Sequence, residues 1–123
     1  MTIDFSVDER VEELRARTSR FVREVVIPVE EELRGDLHRA TEEVRVTLQK
    51  AAKEAGVFAP HASPEYGGHG LDMRDRAGVF EAAGYSLFGP LALNIAAPDE
   101  GNVHLLERVA NDAQKARYLA PLA

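Results

Sequence analysis

The chain has 123 residues, of which 45% are hydrophobic and 29% are charged, and its formal net charge is −6. This length and composition predict one globular domain that can bury its own core. The negative charge argues against a nucleic-acid-binding surface, and the absence of cysteine excludes disulfides, cysteine-based zinc sites and a cysteine nucleophile. No window approaches the ~20 apolar residues of a membrane span, and the N-terminus lacks the features of a signal peptide. We therefore expect a cytoplasmic protein, because a chain without cysteine suits a reducing compartment.

The first predicted helix covers residues 7–27, where apolar side chains recur at helical spacing. Ser6 and Glu9 have the spacing of a capping box at its start. Pro28 cannot donate a backbone hydrogen bond, so it should stop or kink this helix. One further turn is predicted over residues 29–33.

Two amphipathic helices follow in the middle of the chain. Thr41 is a suitable N-cap for the second helix, and Gly56 should end it in a left-handed conformation. Its buried stripe is predicted as Val44, Leu48, Ala51, Ala52 and Ala55. Asp72 should cap the third helix, which Gly84 should close in the same left-handed way. The predicted inward face of the third helix consists of Met73, Ala77, Phe80 and Ala83.

Residues 89–97 are almost uniformly apolar, with Asn94 as the interruption, which predicts a fully buried helix. Pro98 fits the first turn of the next helix, whose inward residues are predicted as Val103, Leu106, Val109 and Ala110. Asn111 should cap a last short helix, limited by Pro121, that carries Ala113, Ala116 and Leu119. Because no segment alternates like a strand, we predict an all-α fold, a compact bundle of about five or six helices.

Residues 57–71 form the irregular connection between the second and third helices, here called the connecting segment. It contains the motif Pro-Glu-Tyr-Gly-Gly-His-Gly at residues 64–70, the glycine loop, whose glycines suggest backbone angles that a Cβ would forbid. A phosphate-binding loop would need a preceding strand and a Lys-Ser/Thr pair, which are missing. A tight connection is the favoured interpretation, and such a loop can also shape a pocket.

No catalytic or metal-binding set emerges from the polar residues. The four histidines lack ligand spacing, so surface or loop positions are expected for all of them: His38, His61, His69 and His104. No Gly-x-Ser-x-Gly elbow supports a hydrolase triad. Most acidic residues outside the first helices are interpreted as caps or solvated positions, although Asp99 and Glu100 border the apolar segment where a pocket could lie.

Several ordered segments resemble the N-terminal helical domain of the acyl-CoA dehydrogenases. They are Ala-Ala-Lys-Glu-Ala-Gly-Val at 51–57, the glycine loop followed by Leu71, Val-Phe-Glu-Ala-Ala-Gly-Tyr at 79–85 and the segment at 111–122. Residues 96–102 further resemble members with larger substrates, in which Ala-Pro-Asp-x-Gly-Asn recurs.

The resemblance implies a domain of a longer FAD-dependent enzyme that dehydrogenates acyl-CoA thioesters and passes electrons to an electron-transfer flavoprotein. Such enzymes continue with a β-domain and a C-terminal helical domain, which carry most FAD contacts and the catalytic glutamate. We therefore expect residues 1–123 to be a single domain that is inactive alone and belongs to a homo-oligomer at full length. A related flavoprotein is an alternative: an acyl-CoA oxidase, a nitroalkane oxidase or a flavin monooxygenase. A stand-alone helical interaction module is a third possibility.

Two sets of residues acquire roles from the resemblance. The acyl-chain pocket is expected to include Asn94, Ile95, Ala97, Pro98 and Gly101. For Asn94, a local hydrogen bond to backbone in the core is the competing interpretation. The docking surface for the electron-transfer flavoprotein is expected at Ala55, Val57 and Leu71, with core or edge packing as the alternative.

Overall fold

The computed structural model describes all residues 1–123 and contains helices and turns but no strand. Two π-helical segments join neighbouring α-helices into continuous rods, at Val22–Val26 and Lys115–Leu119. With these joins the chain forms six helical rods, which confirms the all-α prediction. The α-helices are α1 (Glu9–Phe21), α2 (Ile27–Glu32), α3 (Glu42–Glu54), α4 (Met73–Ala83), α5 (Gly89–Ala92), α6 (Asp99–Val109), α7 (Asp112–Gln114) and α8 (Ala120–Leu122).

The helices surround one cluster of 20 buried hydrophobic residues. Helix α1 packs against α4, α3 packs against α5, and α6 packs against the π segment Lys115–Leu119. The largest fully buried side chains come from distant parts of the chain, so the core joins both ends of the sequence: Leu48, Phe88, Leu93 and Leu119.

The start of α1 differs from the prediction. Asp8 is the N-cap, and its carboxylate accepts the backbone N–H of Val11 at 2.9 Å. The predicted capping box at Ser6 is wrong, because Ser6 lies outside the helix and its N–H donates to the Asp4 carboxylate. Asp8 is an equally good cap by residue type and stands directly before the first helical residue.

Pro28 and Pro121 each lie just after a π segment, in the last part of a helical rod. Ile27 donates its N–H to the carbonyl of Val22, and Ala120 donates to Lys115, both five residues back. Pro28 and Pro121 each come one residue after these donors. Proline removes one ladder hydrogen bond and its ring collides with the carbonyl four residues earlier, and a wider turn is one way to continue past it. The helix therefore does not stop at Pro28 but runs on to Glu32.

Helix α3 matches its prediction. The Thr41 hydroxyl accepts the N–H of Val44, and Gly56 follows the helix with φ +70°. The N–H of Val57 also reaches back to the carbonyl of Ala52, as in a Schellman ending. Leu48 and Ala52 are buried, and the rest of the predicted stripe is half-buried against the core.

The predicted inward face of α4 is wrong at Met73 and Ala77, but it is right at Ala83, which is buried, and at Phe80, which is half-buried against the core. Met73 is 75% exposed and Ala77 is also exposed, whereas the buried residues are Arg76, Val79, Ala82 and Ala83. The Arg76 guanidinium lies on the buried side of this helix and donates to backbone carbonyls inside the molecule. Gly84 does end the helix, but with φ −70°, so it is not the left-handed residue that was predicted.

The predicted buried helix over residues 89–97 is also wrong. Only Gly89–Ala92 is helical, because Asn94 adopts a left-handed conformation with φ +59°. The N–H groups of Asn94 and Ile95 then bond to the carbonyls of Leu91 and Pro90, a Schellman ending in which asparagine takes the position usual for glycine.

The two C-terminal helices are less buried than their periodicity predicts. The predicted N-cap at Asn111 is confirmed, and Gln114 completes a capping box with it. However, Val109 is 70% exposed, and both alanines predicted to face inward on the last helix are exposed: Ala113 and Ala116. Pro98 stands at the N-cap of α6, one position before the predicted first turn.

Candidate functional site

The glycine loop is held by its own backbone. Gly67 and Gly70 have positive φ angles of 86° and 62°. A Cβ on Gly68 would lie 2.1 Å from the carbonyl oxygen of Ala62, so only glycine fits there. The N–H groups of the three glycines donate to Pro64, Ser63 and Ala62, in that order. The N–H groups of these three glycines are thus bonded within the connecting segment and do not form a free cradle for a phosphate.

The first half of the connecting segment is buried, from residue 57 to residue 62. Ala59 donates its N–H to the carbonyl of Leu93 at 2.9 Å, and Leu71 donates to Pro60 at 3.2 Å. The first bond attaches the segment to the end of α5, and the second joins the two ends of the segment just before α4. The loop is therefore a fixed connector, as predicted.

Arg76 is the main polar residue behind the connecting segment. Its Nε donates to the carbonyl of Leu71 at 2.9 Å, and its Nη1 lies 3.1 Å from the Glu100 carboxylate. The two side chains are 11% and 27% exposed, so this pair links α4 to α6 largely away from solvent. Glu107 lies further along α6, and its carboxylate accepts the N–H of Ser63 at 2.8 Å. The sequence analysis missed Arg76, although it shares helical spacing with Val79 and Ala83.

His61 lies within the same buried region. Its side chain is 2% exposed, and neither ring nitrogen has a hydrogen-bond partner. Its ring meets Phe80 edge-on, with 6.3 Å between the centroids. Burial lowers the pKa of His61, against the opposing effect of Glu100.

The other three histidines lie apart from it. His38 is exposed, His69 is half-buried with Nε2 2.9 Å from the Gly56 carbonyl, and His104 is half-buried on α6. No group of three His, Asp or Glu side chains could hold a metal ion.

A cavity of about 340 Å³ opens between α3, α5 and the C-terminal residues. Asn94 lines this cavity while its amide Nδ2 donates to the carbonyl of Leu122 at 2.9 Å. Gln49 lines it as well and donates to the carbonyl of Leu91 at 3.1 Å. Its other polar lining residues are Arg45, Lys53 and Asp99. Asn94 therefore has both features that the sequence analysis treated as alternatives, a backbone hydrogen bond and a position on a cavity.

The other predicted pocket residues are close to Asn94 in the sequence but do not line this cavity. Ile95 is buried in the core, while Ala97, Pro98 and Gly101 are exposed. The Ala97–Pro98 bond is cis. A Cβ added to Gly101 would meet no atom within 4 Å, so the outer side of α6 is open there.

The predicted docking residues lie at and below the surface. Val57 and Leu71 are 0% and 2% exposed and belong to the hydrophobic core. Ala55 is half-buried and packs against that core. The side chain of Ala55 is thus the accessible one of the three.

The acyl-CoA dehydrogenase N-terminal domain family matches residues 8–123. The chain therefore belongs to the acyl-CoA dehydrogenase family, as its N-terminal domain. It is similar to FadE2, a probable acyl-CoA dehydrogenase of Mycobacterium tuberculosis, with 32% identity over 98% of this chain and 30% of that protein. It is also 34% identical to acyl-CoA dehydrogenase family member 10 of Mus musculus, over 91% of this chain and 11% of that protein.

A solved structure from Mycobacterium abscessus, assigned as an acyl-CoA dehydrogenase, superposes with a TM-score of 0.77 at 32% identity. The match covers 95% of this chain and 32% of that chain. This chain thus spans about a third or less of the length of these relatives. None of its helices is both long and apolar enough to cross a membrane.

Proposed function

We propose that this chain forms one wall of the acyl-chain pocket in an FAD-dependent dehydrogenase that oxidises acyl-CoA thioesters. The observation that carries the proposal is the family match over residues 8–123 together with the cavity at Asn94, inside the segment expected to line the pocket. Ala97, Pro98 and Gly101 are exposed beside it and are free to meet substrate or a further domain. The proposed enzyme is a cytoplasmic homo-oligomer at full length.

The residues of this chain do not fit FAD by themselves. Backbone N–H groups commonly bind the pyrophosphate of a dinucleotide, and those of the three loop glycines are bonded within the connecting segment. The largest cavity holds about 390 Å³ and is lined by five residues. We therefore propose that the other domains of the enzyme hold FAD and the catalytic base.

We further propose that an electron-transfer flavoprotein docks at Ala55, with Val57 and Leu71 shaping the surface from below. The half-burial of Ala55 at the end of α3 supports this position. Ala55→Glu should lower turnover with the electron-transfer flavoprotein and leave turnover with a small artificial acceptor unchanged. Equal losses with both acceptors would argue against docking there.

The pocket proposal is tested with the complete reading frame that contains this chain. Gly101→Leu adds a side chain where the domain itself has open space, so the domain should fold normally. Because the added side chain would exclude the end of a long acyl chain, KM for long acyl-CoA substrates should rise about tenfold, and KM for short ones should change less. Ala113→Leu, on an exposed position of the last helix, is the matched control.

Two results would contradict the proposal. One is a reading frame that encodes no flavin-binding domain. The other is dehydrogenase turnover by the 123-residue chain alone with added FAD and acyl-CoA, because the chain should lack the catalytic base.

A further inference from the structure

We propose that His61 is an acid-sensitive latch, which holds the connecting segment against α4 and α6 while neutral and loosens it when protonated. The inference is independent of the proposed function, because it concerns a buried group within this domain alone.

The His61 ring occupies the kind of buried site that an apolar side chain would fill. The side chain is 2% exposed, both ring nitrogens lack partners, and the ring edge packs against Phe80. A neutral ring tolerates this environment at a modest cost, whereas a charged imidazolium would be buried without a hydrogen bond. The bonded backbone on either side, at Ala59 and Ala62, leaves the ring attached to a fixed segment.

Four charged or titratable groups face His61. Arg76 lies on α4, and Glu100, Glu107 and His104 lie on α6. The two carboxylates favour a proton on His61, whereas burial, the largest effect, and the charges of Arg76 and His104 oppose it and prevail. Glu100 and Glu107 are already engaged, with Arg76 and with the N–H of Ser63.

Protonation of His61 would therefore disturb the contacts between three elements. A cation at His61 would attract Glu100 away from Arg76 and repel the Arg76 guanidinium, which also donates to the Leu71 carbonyl. The connecting segment, α4 and α6 would lose their shared polar contacts together.

The sign of the pH effect follows from the direction of the shift. The pKa of His61 in the folded chain lies below the ordinary value of 6.5 because burial disfavours the charged ring. Above 6.5 both folded and unfolded chains carry a neutral ring, so the contribution to stability is complete. As the pH falls below 6.5, the unfolded chain binds the proton first, and stability is lost until the folded pKa is passed.

The test is a pH titration of the 123-residue chain by NMR, with hydrogen exchange measured at about pH 7.5 and about pH 5.5. The His61 ring should titrate below 6.5. After correction for intrinsic rates, the amides of Gly70 and Leu71 should exchange several-fold faster at the lower pH.

Two variants provide the comparison. His61→Phe keeps the ring volume without a titrating group and should abolish this acid-dependent increase, whereas His104→Gln should retain it. A His61 ring that titrates at or above 6.5, or an unchanged acid response in His61→Phe, overturns the proposal. If His61→Phe does not fold, the ring titration of the unmodified chain decides it by itself.

Discussion

The side-chain amide of Asn94 donates a hydrogen bond to the carbonyl of Leu122 at 2.9 Å. The same residue ends α5 through its left-handed backbone, with φ +59°. Asn94 thus attaches the last turn of the chain to the core and sets the direction in which the segment toward α6 leaves α5. Its position on the cavity follows from these two structural constraints.

Substitution at Asn94 should separate the two effects. Asn94→Gly keeps the left-handed angle and loses the side-chain bond, so it should lower the free energy of unfolding by about 1 kcal/mol. Asn94→Ala also loses that bond and keeps a Cβ in the left-handed region without the polar side chain that lets asparagine tolerate it, so it should lose about 1 kcal/mol more than Asn94→Gly. Urea unfolding of both variants measures the difference, and equal losses would mean that the backbone angle contributes nothing.

Gly68 should be intolerant of any side chain. The Cβ of Gly68→Ala would lie 2.1 Å and 2.5 Å from the carbonyl oxygens of Ala62 and Ala59, so the connecting segment must shift. We expect a loss of about 2 kcal/mol or more, typical of overpacking. Gly101→Ala is the matched control within α6, where the added methyl meets open space and should stabilise the helix by about 0.5–1 kcal/mol. Thermal unfolding of the two variants should therefore shift in opposite directions.

The Arg76–Glu100 pair should contribute far more than the surface pairs. Arg76→Met leaves Glu100 and the Leu71 carbonyl without their partner in a largely buried site, so about 3 kcal/mol should be lost. Arg17→Met removes an exposed pair with Glu13 and should cost less than about 1 kcal/mol. Chemical denaturation gives both values, and similar losses would show that the Arg76 pair is effectively solvated.

Substitution of the α1 cap residue Asp8 should lower the free energy of unfolding, whereas substitution of Ser6 should not. Asp8→Ala removes the acceptor of the Val11 N–H and should cost about 1 kcal/mol. Ser6→Ala changes no side-chain cap and should stay within about 0.5 kcal/mol of the parent chain. A larger effect at Ser6 would restore the capping box predicted from the sequence.

Local signals predicted the parts of the fold that depend on local chemistry. Thr41, Asp72 and Asn111 all cap the helices assigned to them, and Gly56 ends α3 in the left-handed conformation. These interactions span three or four residues, so the sequence contains both partners. The glycine loop belongs to the same class, since its N–H groups bond to carbonyls within the same short segment.

Burial of a helix face depends on partners that the sequence does not place. In the first turns of α4 the buried residue is Arg76 and not the predicted Met73 or Ala77, and Arg76 bonds to Leu71 and to Glu100, the latter 24 residues away. The apolar segment after Phe88 suggested a long helix, yet the backbone of Asn94 ends it after Ala92. Composition alone could not distinguish a buried helix from a buried turn.

The sequence by itself determined the all-α class, most helix caps, the fixed glycine loop and the resemblance to the acyl-CoA dehydrogenases. These follow from periodicity, from short-range hydrogen bonds and from an ordered set of motifs. Only the tertiary structure decided that Arg76 and His61 are buried together and that Asn94 reaches Leu122. The physical reason is that the cost of burying a polar group depends on which distant groups surround it, and folding alone brings those groups together.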